Sequence, residues 1–205
     1  MAFTFFFRDT QTLEYAVKIL TPEVAGRSRI RVWDAGCAMG PEPYTLAILF
    51  AEEMGNFSFK NLYISATDID ETDQFGKIIQ EAVYSEEETK RIPPAIFAKY
   101  FEVVEGDPVR YRLKNLIRER IQFQKHDLLT LKPVGENYSL ITCKNVLLHF
   151  QQNERIEVIK MFHKSLAPGG LFATEHTQKM PEELSHMFQQ VVPDAQLFRK
   201  VEVLS

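Results

Sequence analysis

Ile30-Arg31-Val32-Trp33-Asp34-Ala35-Gly36-Cys37-Ala38-Met39-Gly40 begins as an apolar run and closes in a turn with two glycines. A helix-period stretch over about 43–54 follows it. A strand feeding a glycine turn and then a helix predicts the start of an α/β unit, with the turn at the strand's carboxyl end. The same alternation continues outward. Residues 62–66 read as a second strand ending at Thr67-Asp68, 121–123 as a third and 138–142 as a fourth. A helix over about 153–166 stops at Pro168-Gly169-Gly170. A fifth strand at 171–174 and a last one over 197–203 complete the pattern. Strands alternating with helices predict a parallel sheet covered on both faces, a doubly wound α/β domain. One stretch departs from it. Tyr100 to Leu113 carries two strand-like arms around Glu105-Gly106-Asp107-Pro108, which predicts a small antiparallel β insertion over about 100–116.

The 205 residues suit one compact domain over 1–205, and 45% apolar with 25% charged residues is ordinary for a globular chain. A net charge of -4 gives no global field for nucleic acid or anionic lipid. No apolar run approaches the roughly 20 residues that cross a bilayer, so no membrane insertion is expected. With two cysteines and no export signal, the cytoplasm is the expected compartment. Cys37 and Cys143 each end a strand-like run and read as reduced, buried thiols. No metal is called for.

In an open parallel sheet, ligands bind at the carboxyl ends of the strands. Here those ends carry the Gly36 turn, Asp68, His126-Asp127-Leu128 and Cys143-Lys144-Asn145. Glycine lets a bulky ligand approach the backbone closely. A carboxylate at Asp68 suits the two ribose hydroxyls of an adenosine, or it caps a following helix. Asp127 suits an adenine amino group, and the Asn145 amide is expected to face the same crevice. The Gly-x-x-x-Gly spacing differs from the dinucleotide fingerprint, which disfavours a nicotinamide enzyme.

These motifs resemble the chemotaxis receptor glutamate methyltransferase family. Thr4-Phe5-Phe6-Phe7-Arg8 is similar to its Thr-x-Phe-Phe-Arg signature. Residues Trp33 through Tyr44 resemble its Trp-Ser-Ala-Gly-Cys-Ser-Thr-Gly-Glu-Glu-Pro-Tyr. Ala66-Thr67-Asp68-Ile69, the stretch from Arg91-Ile92-Pro93 to Tyr100-Phe101, and Cys143-Lys144-Asn145-Val146-Leu147-Leu148-His149-Phe150 follow in the family's order. The resemblance spans nearly the whole chain. It implies a Rossmann-like methyltransferase using S-adenosylmethionine and releasing S-adenosylhomocysteine. The implied acceptor is a glutamate carboxylate on the cytoplasmic domain of a chemoreceptor-like protein. It further implies that Thr4 and Arg8 lie over the cofactor's methionine end, that Gly36 and Glu42 contact the cofactor and that Asp68 holds the ribose. Asp127 and Leu128 take the adenine position, and Lys144 and Asn145 take the place of the family's Arg-Asn pair. The insertion resembles the subdomain with which some members dock receptor tails, and a monomer is implied.

Four departures accompany the likeness. Pro41 replaces an acid, Asp127 replaces Asn, and His149 stands where the family has a Tyr near the acceptor. The family's N-terminal helical domain is expected to be absent ahead of Thr4. A module without catalysis, and a methyltransferase with a small-molecule acceptor, therefore stay open as rival readings. A glutamate is ionised at neutral pH, its reference pKa being about 4.3, so the displacement needs no general base. Alignment of the reacting atoms at about 3 Å carries the catalysis, with Arg8 and His149 as the expected polar contacts to the carboxylate.

Overall fold

The computed structural model describes residues 4–202. Among them ten strands form two sheets: β1 (Ile30–Ala35), β2 (Leu62–Asp68), β3 (Val83–Ser85), β4 (Phe101–Val104), β5 (Arg110–Leu113), β6 (Ile121–Lys125), β7 (Tyr138–Cys143), β8 (Leu166–Thr174), β9 (Phe188–Gln190) and β10 (Leu197–Lys200). The larger sheet has the order β6-β2-β1-β7-β8-β10-β9. From β1 the chain steps outward to β2 and β6, then returns to β7 on the other side. The doubly wound reading therefore holds, and the order reverses between β1 and β7.

Three expectations are corrected. The sheet is parallel only from β6 to β8; β10 runs antiparallel to both β8 and β9. Only residues 191–196 join β9 to β10, too few for the crossover that a parallel pair requires. The Pro168-Gly169-Gly170 signal does not precede a new strand but lies within β8. Between the pairs Tyr138–Leu166 and Leu140–Leu171, β7 advances two residues while β8 advances five, so the turn is looped out as a bulge. The last strand ends at Lys200, and Val203, included in the expected strand, lies outside the described residues.

Helices cover both faces. Gln11–Val24 and Pro41–Glu53 bury their apolar sides with Val32, Ile64 and Leu171, while Gln152–Ser165 packs with Trp33, Tyr138 and Phe172. The first of these helices was not anticipated. Its signal is nonetheless present in the helical spacing of Leu13, Ala16, Val17, Leu20 and Val24, all buried. The hairpin of β4 and β5 forms as expected, and β3 adds a third strand beside β5. Among the described residues no helix is long and apolar enough to cross a membrane.

Candidate functional site

The turn after β1 is held in left-handed backbone at Gly36, with φ 92°. A Cβ at this position would overlap the Val146 side chain, so glycine is required both for the dihedral and for the close approach. The N–H groups of Gly36 and Cys37 both donate to the Thr67 carbonyl at the end of β2, at 2.7 and 3.0 Å. Asp68 completes the turn. Its Oδ2 accepts from Ala38 N at 3.0 Å and its Oδ1 from Asp70 N at 3.1 Å. A carboxylate has about four acceptor sites, so capacity remains for two ribose hydroxyls.

Asp68 is not the helix cap that the sequence also allowed. Buried Asp70 takes that role, accepting from the N–H groups of Gln74, Phe75 and Gly76 at the start of Phe75–Glu81. Asp127 caps a shorter element, the 3-10 turn Leu128–Thr130, through Leu129 N at 2.8 Å.

Gly36, Asp68, Asp127, Leu128 and His149 line one mainly apolar cavity of about 280 Å³, together with Val146 and Phe150. Lys144 and Asn145 line a separate polar cavity of about 420 Å³ with Asp9, Glu175 and His176. The expectation that Asn145 faces the Asp68 crevice is thus corrected. Asn145 lies at φ 59°, and the neighbouring Val146 occupies the space beside Gly36 instead. A larger cavity of about 580 Å³, between Gly76, Arg118 and Phe123, contains none of the expected site residues.

Glu42 lines neither cavity and instead pairs with Lys144. Lys144 is 2% exposed at its side chain, and its Nζ lies 3.3 Å from Glu42 Oε2. The same ammonium donates to the Asp9 carbonyl at 3.1 Å and the Arg8 carbonyl at 3.4 Å. The amino-terminal segment is fixed on its other side by Phe6. This ring is buried edge-on against Tyr84 and Phe101, at 4.9 and 5.5 Å. Phe7 N also donates to Thr45 Oγ1 at 3.1 Å. Arg8 sits 3.6 Å from Asp9 Oδ2 and over the Phe5 ring. Thr4 is half-buried, and neither Thr4 nor Arg8 is among the side chains lining the two cavities.

Two acids beneath the site were not singled out in the sequence. Asp34 is fully buried, with no hydrogen-bond partner on either oxygen. Burial pushes its carboxyl well above the usual range, and the charge of Glu42 adds to this against the pull of Lys144. Burial also raises Glu42, opposed by Lys144 and Arg8. The second acid, Glu175, follows β8 and accepts from Asn145 N at 2.9 Å. The sequence signal for both was their place at a strand end, where Asp68 was read. Cys37 and Cys143 are free and buried as expected, and burial drives both thiols up, away from the reactive thiolate.

The family model for the CheR methyltransferase, SAM binding domain, matches residues 2–196. The chain belongs to this family. It is 26% identical over 194 residues to a probable chemotaxis protein methyltransferase of Rhizobium etli, covering 92% of this chain and 72% of that one. It is 28% identical over 186 residues to the chemotaxis protein methyltransferase of Borreliella burgdorferi, covering 85% of this chain and 63% of that one. The chain thus spans about two thirds of the length of these relatives. Among solved structures, PKMT2 from Rickettsia typhi in complex with AdoHcy is similar at 15% identity and a TM-score of 0.49, over 85% of this chain and 26% of that one. The CheR-family chain described here has its glycine turn, Asp68 and Leu128 around a single cavity at the carboxyl ends of β1, β2 and β6.

Proposed function

We propose that this methyltransferase esterifies glutamate side chains on the cytoplasmic domain of a chemoreceptor-like protein, acting as a monomer. The observation that carries this reading is the convergence of Gly36, Asp68, Asp127, Leu128 and His149 on one cavity, in a chain matching the CheR family over 2–196. The cavity's apolar walls suit an adenine, and the spare acceptor capacity of Asp68 suits the ribose. The methionine end extends from that cavity past Val146 to the second, polar cavity, where Lys144 and Asn145 serve it and Glu42 holds Lys144 in place.

S-adenosylmethionine supplies the electrophilic methyl group when bound. The protein's residues hold the acceptor for it. Arg8 orients the ionised carboxylate through a charge-assisted hydrogen bond, and His149 gives a second polar contact. No side chain has to remove a proton. The small sheet docks an extended tail of the acceptor protein. In support, β4 is an outer strand of that sheet and Val103 on it is 65% exposed.

Calorimetric titration with S-adenosylhomocysteine, with NAD as control, tests the cofactor half. Micromolar or tighter binding that NAD does not reproduce is expected, and its absence would overturn the reading. Transfer of labelled methyl to a receptor cytoplasmic domain, with base-labile label, tests the acceptor half.

A further inference from the structure

We infer that Glu175 is a positioning residue of this site, setting the Lys144–Asn145 turn on which the cofactor's methionine end rests. The inference builds on the proposed function and extends it to a residue that no motif marks.

Glu175 is 7% exposed. Its Oε2 accepts two hydrogen bonds, from Asn145 N at 2.9 Å and from Thr174 Oγ1 at 2.8 Å. Asn145 is in left-handed backbone at φ 59°, a conformation that Asn adopts more readily than most side chains and that turns its N–H toward the end of β8. Glu175 holds the amide of this turn from 30 residues away. It can reach because Cys143 and Thr174 are register partners on the paired strands β7 and β8. The turn is fixed on its other flank by the Lys144 ammonium, which holds Glu42 and the carbonyls of Arg8 and Asp9. A displacement of Asn145 therefore shifts Lys144, and with it the amino-terminal segment bearing Arg8.

The second oxygen, Oε1, is buried without a hydrogen-bond partner. An unsatisfied buried oxygen destabilises a fold. The cost of that orphaned oxygen is offset at Oε2, where the two hydrogen bonds fix the turn.

The test uses the full chain with Glu175→Ala and Glu175→Gln, read in two ways. Amide hydrogen exchange across 143–147 is followed without ligand, and S-adenosylhomocysteine affinity is measured by calorimetry. Glu175→Ala is expected to speed exchange of the Asn145 amide and to weaken binding, each by about tenfold, the loss of one charge-assisted hydrogen bond. Glu175→Gln keeps an acceptor oxygen and is expected to stay within about threefold of wild type in both. Unchanged exchange in the Ala variant overturns the inference. So does faster exchange with unchanged affinity, or a Gln variant as impaired as the Ala one. Failure of the underlying functional reading shows in the wild type, as absent binding, whereas failure of this inference shows only in the variants.

Discussion

Lys144 and Glu42 form a buried ion pair that ties the end of β7 to the first turn of the helix after β1, with 3.3 Å between Nζ and Oε2. Glu42 carries only part of the load, because the ammonium also binds two carbonyls of the amino-terminal segment. Removing the cation leaves a buried carboxylate and two carbonyls without it. Lys144→Met is expected to destabilise the protein by about 3 kcal/mol, and adding Glu42→Gln to restore part of that. Urea unfolding of the single and double variants reads both effects.

Asp34 gives a pH dependence whose sign is fixed. Its folded carboxyl titrates well above the usual range near 3.8. Above that range the folded state holds a proton that the unfolded state has lost, so this contribution is complete at low pH and fades as pH rises through the folded value. The stability of wild type minus that of Asp34→Asn should fall between pH 4 and pH 8. A difference that stays level across that span would count against a protonated Asp34.

Gly36→Ala combines left-handed strain with overlap against Val146. We expect a loss of roughly 2 to 4 kcal/mol. Val146→Ala in the same chain should recover the overlap but not the dihedral. Full recovery in the double variant would show that the backbone at Gly36 is unstrained.

Asp70 accepts three backbone N–H groups at one helix start. Asp70→Ala should lower stability by about 1 to 2 kcal/mol, the scale of a lost cap. Thermal unfolding with and without S-adenosylhomocysteine will show whether the neighbouring Asp68 turn moves as well.

Arg8→Ala tests the acceptor contact. Turnover of labelled methyl should drop about 10- to 100-fold, the worth of one charge-assisted hydrogen bond, while S-adenosylhomocysteine affinity changes less. Near-normal turnover would remove Arg8 from the reaction.

The order of motifs was enough to read the doubly wound domain. Trp33 to Gly40 shows a strand entering a glycine turn, and Gly36 can be required there for reasons local to the backbone. Alternation was equally legible in β2, where Leu62 and Ile64 are buried and Tyr63 between them is exposed, because successive side chains point to opposite faces. The direction of β10 was not legible. It depends on the short chain from β9, a strand of three residues with too little sequence to show a period.

Sequence by itself determined which residues stand at the strand ends, since strand, turn and helix propensities act over a few neighbours. Only the tertiary structure decided how they divide. Gly36 and Asp68 line one cavity and Lys144 and Asn145 another, and Asp70 rather than Asp68 takes the helix start. Glu175 reaches Asn145 from 30 positions away. These are contacts between strand ends, set by the register of β1, β2, β7 and β8. Hydrogen-bond distances of about 3 Å between such distant residues exist only once the sheet has formed.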